Sequence, residues 1–153
     1  MVDIANDICA FVSTEMCDPI SGLIRLHENA LWSHIGFYRI SDGWTFSAMA
    51  DGKGVDWRKP ITDAKILKLN VPGMDLAFQR ALTKQGEGYD FLNILGIALG
   101  RDWHTAGHLI CSGLFFWAFQ DAGVSPLNMR FLQLDKFEPY HILLALGTTE
   151  HTA

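Results

Sequence analysis

The strongest helical pattern in the chain is Leu109-Ile-Cys-Ser-Gly-Leu-Phe-Phe-Trp-Ala-Phe119. Apolar residues at 110, 114, 117 and 118 recur on one face of a helix. Three phenylalanines extend that face almost around the helix, which predicts a position inside the domain. A cysteine in the first helical turn lies near the positive end of the helix dipole, which favours the thiolate over the thiol. Cys111 is therefore a candidate nucleophile, although a buried and inert cysteine is the commoner role among aromatic side chains.

The composition is that of one globular domain. The chain has 153 residues, of which 49% are hydrophobic and 19% are charged, enough for a substantial core. The net charge of −5 argues against a surface for nucleic acid or for anionic membranes. Three cysteines without a CxxC pair favour a reducing compartment over a disulfide scaffold.

The first residues and the apolar runs predict a cytoplasmic protein. The N-terminus is acidic and lacks the basic start of a signal peptide. No apolar run reaches the roughly 20 residues that a membrane-spanning helix needs. We therefore expect no stable membrane insertion, and a substrate outside the cell would require release or a dedicated export route.

Local patterns in the first third predict one helix and three strands. Residues 3–16 carry apolar side chains at helical spacing, so they predict a short helix within an N-terminal extension, 1–19. Residues 20–26 alternate weakly and predict a strand. Two better strands, 33–40 and 44–49, flank an Asp-Gly pair that is typical of a tight hairpin turn.

The rest of the chain mixes both patterns. We expect an edge strand over 55–58, a short strand over 66–69, and helices over 74–84 and 92–99, with Gly100 as a C-terminal cap. A further strand is expected over 131–137, then a strand or helix over 141–146 and a frayed tail over 148–153. Together these elements predict a single α+β domain over 1–153.

A cysteine nucleophile needs a base, and the base needs a third group to orient it. His34 begins the first strand of the hairpin, and Gly36 lies on the same face because strand side chains alternate. The return strand brings Ser47 close to the same end. From the residues alone, a histidine on a half-buried strand is still more often structural than catalytic.

The remaining histidines carry weaker signals. His104, His108 and Cys111 would share one side of a helix, which is a conceivable zinc site. No glutamate lies between the two histidines, and no fourth ligand is evident. We therefore expect no metal and no cofactor.

Two motifs, read together, point to a known family. Cys-Ser-Gly-Leu at 111–114, followed by Gly-Val-Ser-Pro at 123–126, resembles the nucleophile helix of the NlpC-type, papain-like cysteine peptidases. Ser-His-Ile-Gly-Phe-Tyr at 33–38, with the return strand at 44–48, is similar to that family's histidine hairpin. Residues 21–24 resemble the strand that precedes this hairpin in the family. Here the histidine precedes the cysteine. That order resembles the circularly permuted branch, which includes bacterial hydrolases and lecithin–retinol acyltransferase-like enzymes, and Tyr-Asp-Phe at 89–91 is also familiar from its bacterial members.

The resemblance implies a permuted papain-like fold, in which an antiparallel sheet packs against the central cysteine-bearing helix. It also implies Cys111 as the nucleophile and His34 as its base. The family places a His, Gln, Asn or Glu where this chain has Ser47, and a serine lacks a carboxylate's charge and an amide's fixed plane. Either Ser47 orients His34, or another polar group such as Thr45 or Asp51 does.

The expected activity is hydrolysis of an amide, with bacterial cell-wall peptide as the substrate that the resemblance suggests. The backbone N–H of Cys111 would contribute to an oxyanion hole, with Ser112 beside it, and Tyr38 or Tyr89 would supply a hydroxyl or serve only as a core tyrosine. One alternative is an acyltransferase or thioesterase that uses the same dyad on lipid-like substrates. Another is a non-catalytic binding module that keeps the fold. The expected partner is a peptide or acyl substrate and not nucleic acid, while the oligomeric state is left open.

Overall fold

The computed structural model describes residues 7–13, 34–59, 66–69, 71–99, 101, 103 and 105–124. Within these ranges an antiparallel sheet packs against helices, which confirms the predicted α+β class. The elements in chain order are β1 (Ile8–Ser13), β2 (His34–Arg39), β3 (Thr45–Met49), β4 (Gly54–Arg58), β5 (Ile66–Leu69), α1 (Met74–Leu82), β6 (Gly88–Tyr89), α2 (Phe91–Leu99), β7 (His108–Leu109) and α3 (Cys111–Asp121).

The predicted hairpin is confirmed as the β2–β3 pair. Gly43 adopts a φ of 76° in the turn, a conformation that glycine reaches at little cost. The Arg39 N–H donates to the carbonyl of Trp44 at 2.8 Å, and the Gly43 N–H donates back to Arg39 at 2.9 Å. Asp42 accepts from the Trp44 N–H at 3.2 Å. These local bonds fix the register of the two strands.

Residues 8–13 form a strand inside the sheet, so the helix predicted for the N-terminal extension is wrong there. The five strands run in the order β4-β3-β2-β1-β5, and β1 pairs antiparallel with both β2 and β5. All six residues of β1 are buried. A strand buried on both faces is a continuous apolar run, which periodicity alone cannot separate from a helix.

The main hydrophobic core lies between one face of the sheet and helices α1 and α3. The ring of Phe37 on β2 lies 5.4 Å from that of Phe78 on α1 and 5.1 Å from that of Phe115 on α3, measured between centroids. Phe46 on β3 also contacts Phe78, at 5.9 Å. Cys111 belongs to this core.

The opposite face of the sheet is buried as well. Because side chains alternate along a strand, His34 and Tyr38 project away from the face that carries Phe37. The ring of Phe11 on β1 lies 5.6 Å from that of His34 and 6.4 Å from that of Tyr38. Phe11 and His34 are exposed by only 0% and 1%. The sheet therefore carries two separate buried layers.

Several elements predicted for the later part of the chain are present. Strands over 54–58 and 66–69 lie at the two edges of the five-stranded sheet, and helices over 74–82 and 91–99 are present. The parallel pair β6–β7 was not predicted, because strands of two residues show no period. The elements expected over 20–26, 131–137 and 141–146, the Gly100 cap and the tail over 148–153 lie outside the described residues. In the part of the chain that the structure describes, no helix is long and apolar enough to cross a membrane.

Candidate active site

Ser47 holds His34 at the start of β2. Nε2 of His34 lies 2.9 Å from Oγ of Ser47, and both side chains are buried. The pairing of Phe37 with Phe46 places Ser47 next to Gly36 and on the His34 face, so the contact follows from the register of the hairpin. When Nε2–H donates to Oγ, the other ring nitrogen, Nδ1, is left as an acceptor.

Gly36 permits this close approach. A Cβ atom at position 36 would lie 2.7 Å from Cβ of Ser47, 2.9 Å from Cε1 of Phe11 and 2.9 Å from the carbonyl oxygen of Phe46. The sequence predicted that this glycine leaves room beside the imidazole. The structure fills that room with the side chains of Phe11 and Ser47.

Asp51, one of the alternative orienting groups, binds Arg58. The guanidinium donates from Nε and Nη2 to the two carboxylate oxygens of Asp51, each at 2.8 Å, and this hydrogen bonding lowers the pKa of Asp51. Thr45, the other alternative, is paired with Tyr38 farther along the strands. Ser47 is therefore the group in contact with His34.

Burial keeps the His34 ring neutral. The pKa of His34 is lowered from 6.5 to about 3, chiefly by desolvation and further by the positive charge of Arg58, while Asp51 acts in the opposite direction. A low-dielectric environment disfavours the charged imidazolium. Around neutral pH the ring is thus an uncharged acceptor, the form that a general base requires.

Cys111 begins α3 directly after an extended residue. Ile110 has φ −91° and ψ 165° and accepts the Leu114 N–H at 2.9 Å, the first bond of the helix. The exposed fractions of Cys111 and Ser112 are 3% and 1%. The thiol therefore lies at a helix N-terminus, where negative charge is favoured, but within an apolar core, where it is not.

His34 and Cys111 lie at the same end of the sheet and toward different faces. The backbones of Gly86 and Glu87 bond to Val55 on β4, and β6, which follows, pairs with β7, which ends two residues before Cys111. The β2–β3 and β3–β4 registers bring the Val55 end of β4 level with the start of β2. However, α3 packs on the Phe37 face, whereas His34 projects from the other.

Nδ1 of His34 has no hydrogen-bond partner among the described residues. Within this part of the chain, the imidazole is therefore not hydrogen-bonded to the Cys111 thiol. Catalytic hydrogen bonds are often long or unformed before substrate binds. The roles of Cys111 as the nucleophile and of His34 as its base stay a prediction.

The two tyrosines named from the sequence lie in different buried layers. Tyr38 is half-buried on the His34 face, beside Phe11. Tyr89 lies on β6 within the main core that also contains Cys111, and its ring is 5.3 Å from that of Phe91. Each tyrosine thus accompanies a different member of the expected dyad.

Sequence reasoning missed Ser13. It lies directly opposite His34 in the β1–β2 register, and its exposed fraction is 0%. Its Oγ has no hydrogen-bond partner in the described ranges. The sequence signal for Ser13 is a single hydroxyl in the apolar run Ile-Cys-Ala-Phe-Val-Ser. This signal indicates a residue beside His34 only when the run is assigned as a strand.

The histidines near α3 form no metal centre within the described residues. His108 is exposed, with Nδ1 3.1 Å from the carbonyl oxygen of Ala106, and His104 lies outside these residues. Across the described ranges, no three His, Cys, Asp or Glu side chains are grouped to hold a metal ion.

Comparison with known proteins does not extend these findings: no protein-family model matches the chain, and no curated protein matches it either.

Proposed function

We propose that the protein is a cysteine hydrolase of permuted papain-like fold that cleaves an amide bond. Cys111 is the nucleophile, His34 its base, and Ser47 the group that orients the base. The observation that carries the proposal is the 2.9 Å contact between Nε2 of His34 and Oγ of Ser47. This contact fixes the imidazole and commits one ring nitrogen, which leaves Nδ1 for the thiol proton.

The proposed reaction begins with transfer of the Cys111 proton to Nδ1 of His34. The sulfur attacks the substrate carbonyl carbon, and the backbone N–H of Cys111, beside Ser112, stabilises the oxyanion that forms. His34 returns the proton to the leaving amine, and water then hydrolyses the thioester.

The burial of both groups adds a requirement. With exposed fractions of 1% for His34 and 3% for Cys111, substrate reaches them only after a local opening. Because α3 packs on the Phe37 face and His34 projects from the other, the same opening must bring the Cys111 thiol to Nδ1 of His34. Opening admits water and raises the pKa of His34 toward its usual value, because desolvation is the main cause of its depression. In the proposed enzyme, His34 therefore becomes a stronger base when substrate enters.

An activated ester tests the proposal. We expect p-nitrophenyl acetate to acetylate Cys111, as seen by peptide mapping and mass spectrometry. The adduct should be lost in Cys111→Ser and strongly reduced in His34→Gln, which keeps a donor toward Ser47 but supplies no base. Cys9 is a matched control, because it is also buried, at 4% exposure, and lies outside the site. Equal labelling of Cys9 and Cys111 would contradict the proposal.

The substrate class is tested separately. The resemblance favours bacterial cell-wall peptide, so we expect release of amino groups from muropeptides by the native protein and no release by Cys111→Ser. If esters acylate Cys111 in the folded native protein but every such peptide stays intact, the amide reaction is excluded.

One observation favours acyl transfer or thioester hydrolysis on lipid-like molecules as a second candidate. Helix α2 exposes four large apolar side chains, with exposed fractions between 44% and 57%: Phe91, Leu92, Leu95 and Leu99. An apolar surface of this kind suits a long acyl chain. Faster acylation of Cys111 by p-nitrophenyl palmitate than by the acetate would favour this candidate over the peptidase.

The deep burial of the site favours a third candidate, a binding module that keeps the fold without catalysis. It predicts that no ester acylates Cys111 even in conditions that open the structure. It also predicts that Cys111→Ser and His34→Gln change stability alone.

A further inference from the structure

Two buried polar atoms lie on adjacent strands: Oγ of Ser13, which the mechanism above does not use, and Nδ1 of His34, the nitrogen that acts as the proposed base. Ser13 on β1 and His34 on β2 are direct cross-strand partners. Their exposed fractions are 0% and 1%. Oγ of Ser13 and Nδ1 of His34 both have no hydrogen-bond partner among the described residues. Buried polar atoms in folded proteins are nearly always paired, either with protein or with ordered water.

The two residues are direct cross-strand partners, and their two polar atoms are not hydrogen-bonded to one another. Residues directly opposite on antiparallel strands have Cβ atoms about 4.5–5.5 Å apart. Ser47, on the other neighbouring strand, already contacts Nε2. A direct bond between Oγ of Ser13 and Nδ1 would have paired both atoms. One water molecule with ordinary hydrogen bonds spans two groups up to about 5–6 Å apart.

We propose that Oγ of Ser13 and Nδ1 of His34 together hold one water molecule, and that this water hydrolyses the acyl-enzyme formed on Cys111. The inference rests on the proposed function, in which a thioester forms at Cys111. Ser13 is then a positioning residue: it acts on the reaction through the water and the imidazole.

The hydrolytic step balances without any other reactant. The water oxygen bonds to the acyl carbon while one water proton passes to Nδ1 of His34. The carbon–sulfur bond breaks, and the sulfur takes the proton back from Nδ1 to restore the thiol. The products are a carboxylic acid and free Cys111.

In this role, Ser13 acts only in the second half-reaction, the hydrolysis of the thioester. Attack by the thiol needs Nδ1 as a base but needs no water. Removal of the Ser13 hydroxyl should therefore spare acylation and slow hydrolysis of the thioester. An acceptor that attacks without a positioned water, such as hydroxylamine, bypasses Ser13.

Single-turnover kinetics with p-nitrophenyl acetate separate the two half-reactions. For Ser13→Ala we expect acylation within about twofold of the native rate and deacylation slowed roughly three- to tenfold, the worth of one hydrogen bond. Hydroxylamine should discharge the Ser13→Ala acyl-enzyme as fast as the native one. Ser13→Thr, which keeps the hydroxyl, should restore hydrolysis. Ser41→Ala, at an exposed serine that bonds to Asp7, is the control and should change neither rate.

A native deacylation rate in Ser13→Ala, or equal slowing of both half-reactions, would overturn the inference. The nitrogen chemical shift of Nδ1 is an independent measurement. Ser13→Ala should shift the Nδ1 resonance and leave Nε2 in place, and an unmoved Nδ1 would overturn the water site. If Nδ1 shifts but the native Cys111 is never acylated, the proposed function is wrong and the hydrolytic role of the water is wrong with it.

Discussion

Nη1 of Arg58 lies 2.7 Å from the carbonyl oxygen of Ser47. The same guanidinium pairs with both carboxylate oxygens of Asp51 and donates to the carbonyl of Gly54 at 2.7 Å. The backbone beneath Ser47 is thereby fixed from the neighbouring strand. Arg58 does not touch His34, yet it holds in place the residue that does.

Replacing Arg58 by methionine should raise the pKa of His34. The Arg58 charge lowers this pKa, and Asp51, which raises it, would lose its partner. The loss of the bonds to Ser47 and Gly54 should also reduce the free energy of unfolding by about 2 kcal/mol. Histidine resonances followed by NMR during a pH titration measure the pKa shift. Arg39→Met is the control, because it breaks the exposed ion pair with Asp42 and should leave His34 unchanged. A lower His34 pKa in Arg58→Met would contradict the expectation.

Acid should destabilise the protein through His34. Its folded pKa, about 3, lies below the unfolded value of 6.5, so the unfolded state binds the extra proton as the pH falls. Stability is complete above pH 6.5 and declines by up to about 1.4 kcal/mol per pH unit between 6.5 and 3. Urea unfolding at pH 7, 5 and 4 measures this slope.

His34→Gln should be less sensitive to the same acidification, because glutamine does not titrate. The difference in slope between the two proteins isolates His34 from the carboxylates that both retain. Identical slopes would show that His34 already titrates normally in the folded state.

Gly36→Ala should be strongly destabilising. The added Cβ would lie 2.9 Å or less from Phe11, Ser47 and the backbone of Phe46. Forcing such atoms apart in a packed interior costs about 1–3 kcal/mol. Denaturant unfolding monitors the change. Gly113→Ala is a matched control with the opposite expectation: its nearest contact is Cγ1 of Ile110 at 3.3 Å, and alanine is favoured within helices. If the two substitutions change the free energy of unfolding equally, the space around Gly36 is not as crowded as described.

Ser47→Ala should both destabilise the protein and slow acylation of Cys111. It leaves Nε2 of His34 buried without its partner, at a cost of about 1–3 kcal/mol, and it frees the imidazole to rotate. Ser41→Ala serves as the exposed control for loss of a hydroxyl. An unchanged acylation rate with reduced stability would assign Ser47 a structural role only.

The sequence predicted those features that depend on near neighbours. The Asp-Gly turn sets the β2–β3 register, and that register alone brings His34 to Ser47. The helix that begins at Cys111 was readable from its apolar face. In contrast, β1 was predicted as helix because both of its faces are buried, and Ser13 was overlooked for the same reason.

Other features arise only from tertiary contacts. Nothing near Arg58 in the sequence indicates that it binds the Ser47 carbonyl, since backbone acceptors carry no residue signature. The motifs at His34 and Cys111 also predict a dyad without specifying which face of the sheet each occupies. That placement depends on how α3 packs, which only the three-dimensional structure reveals.

The position of β1 between β2 and β5 has a kinetic consequence. Hairpins between adjacent strands close short loops and form within microseconds, whereas both pairings of β1 close far longer loops. We expect the β2–β3–β4 meander to fold first and β1 to dock later. Until it docks, β2 presents an unpaired edge to other chains. The protein should therefore be most prone to aggregate during refolding at high concentration, before β1 has docked between β2 and β5.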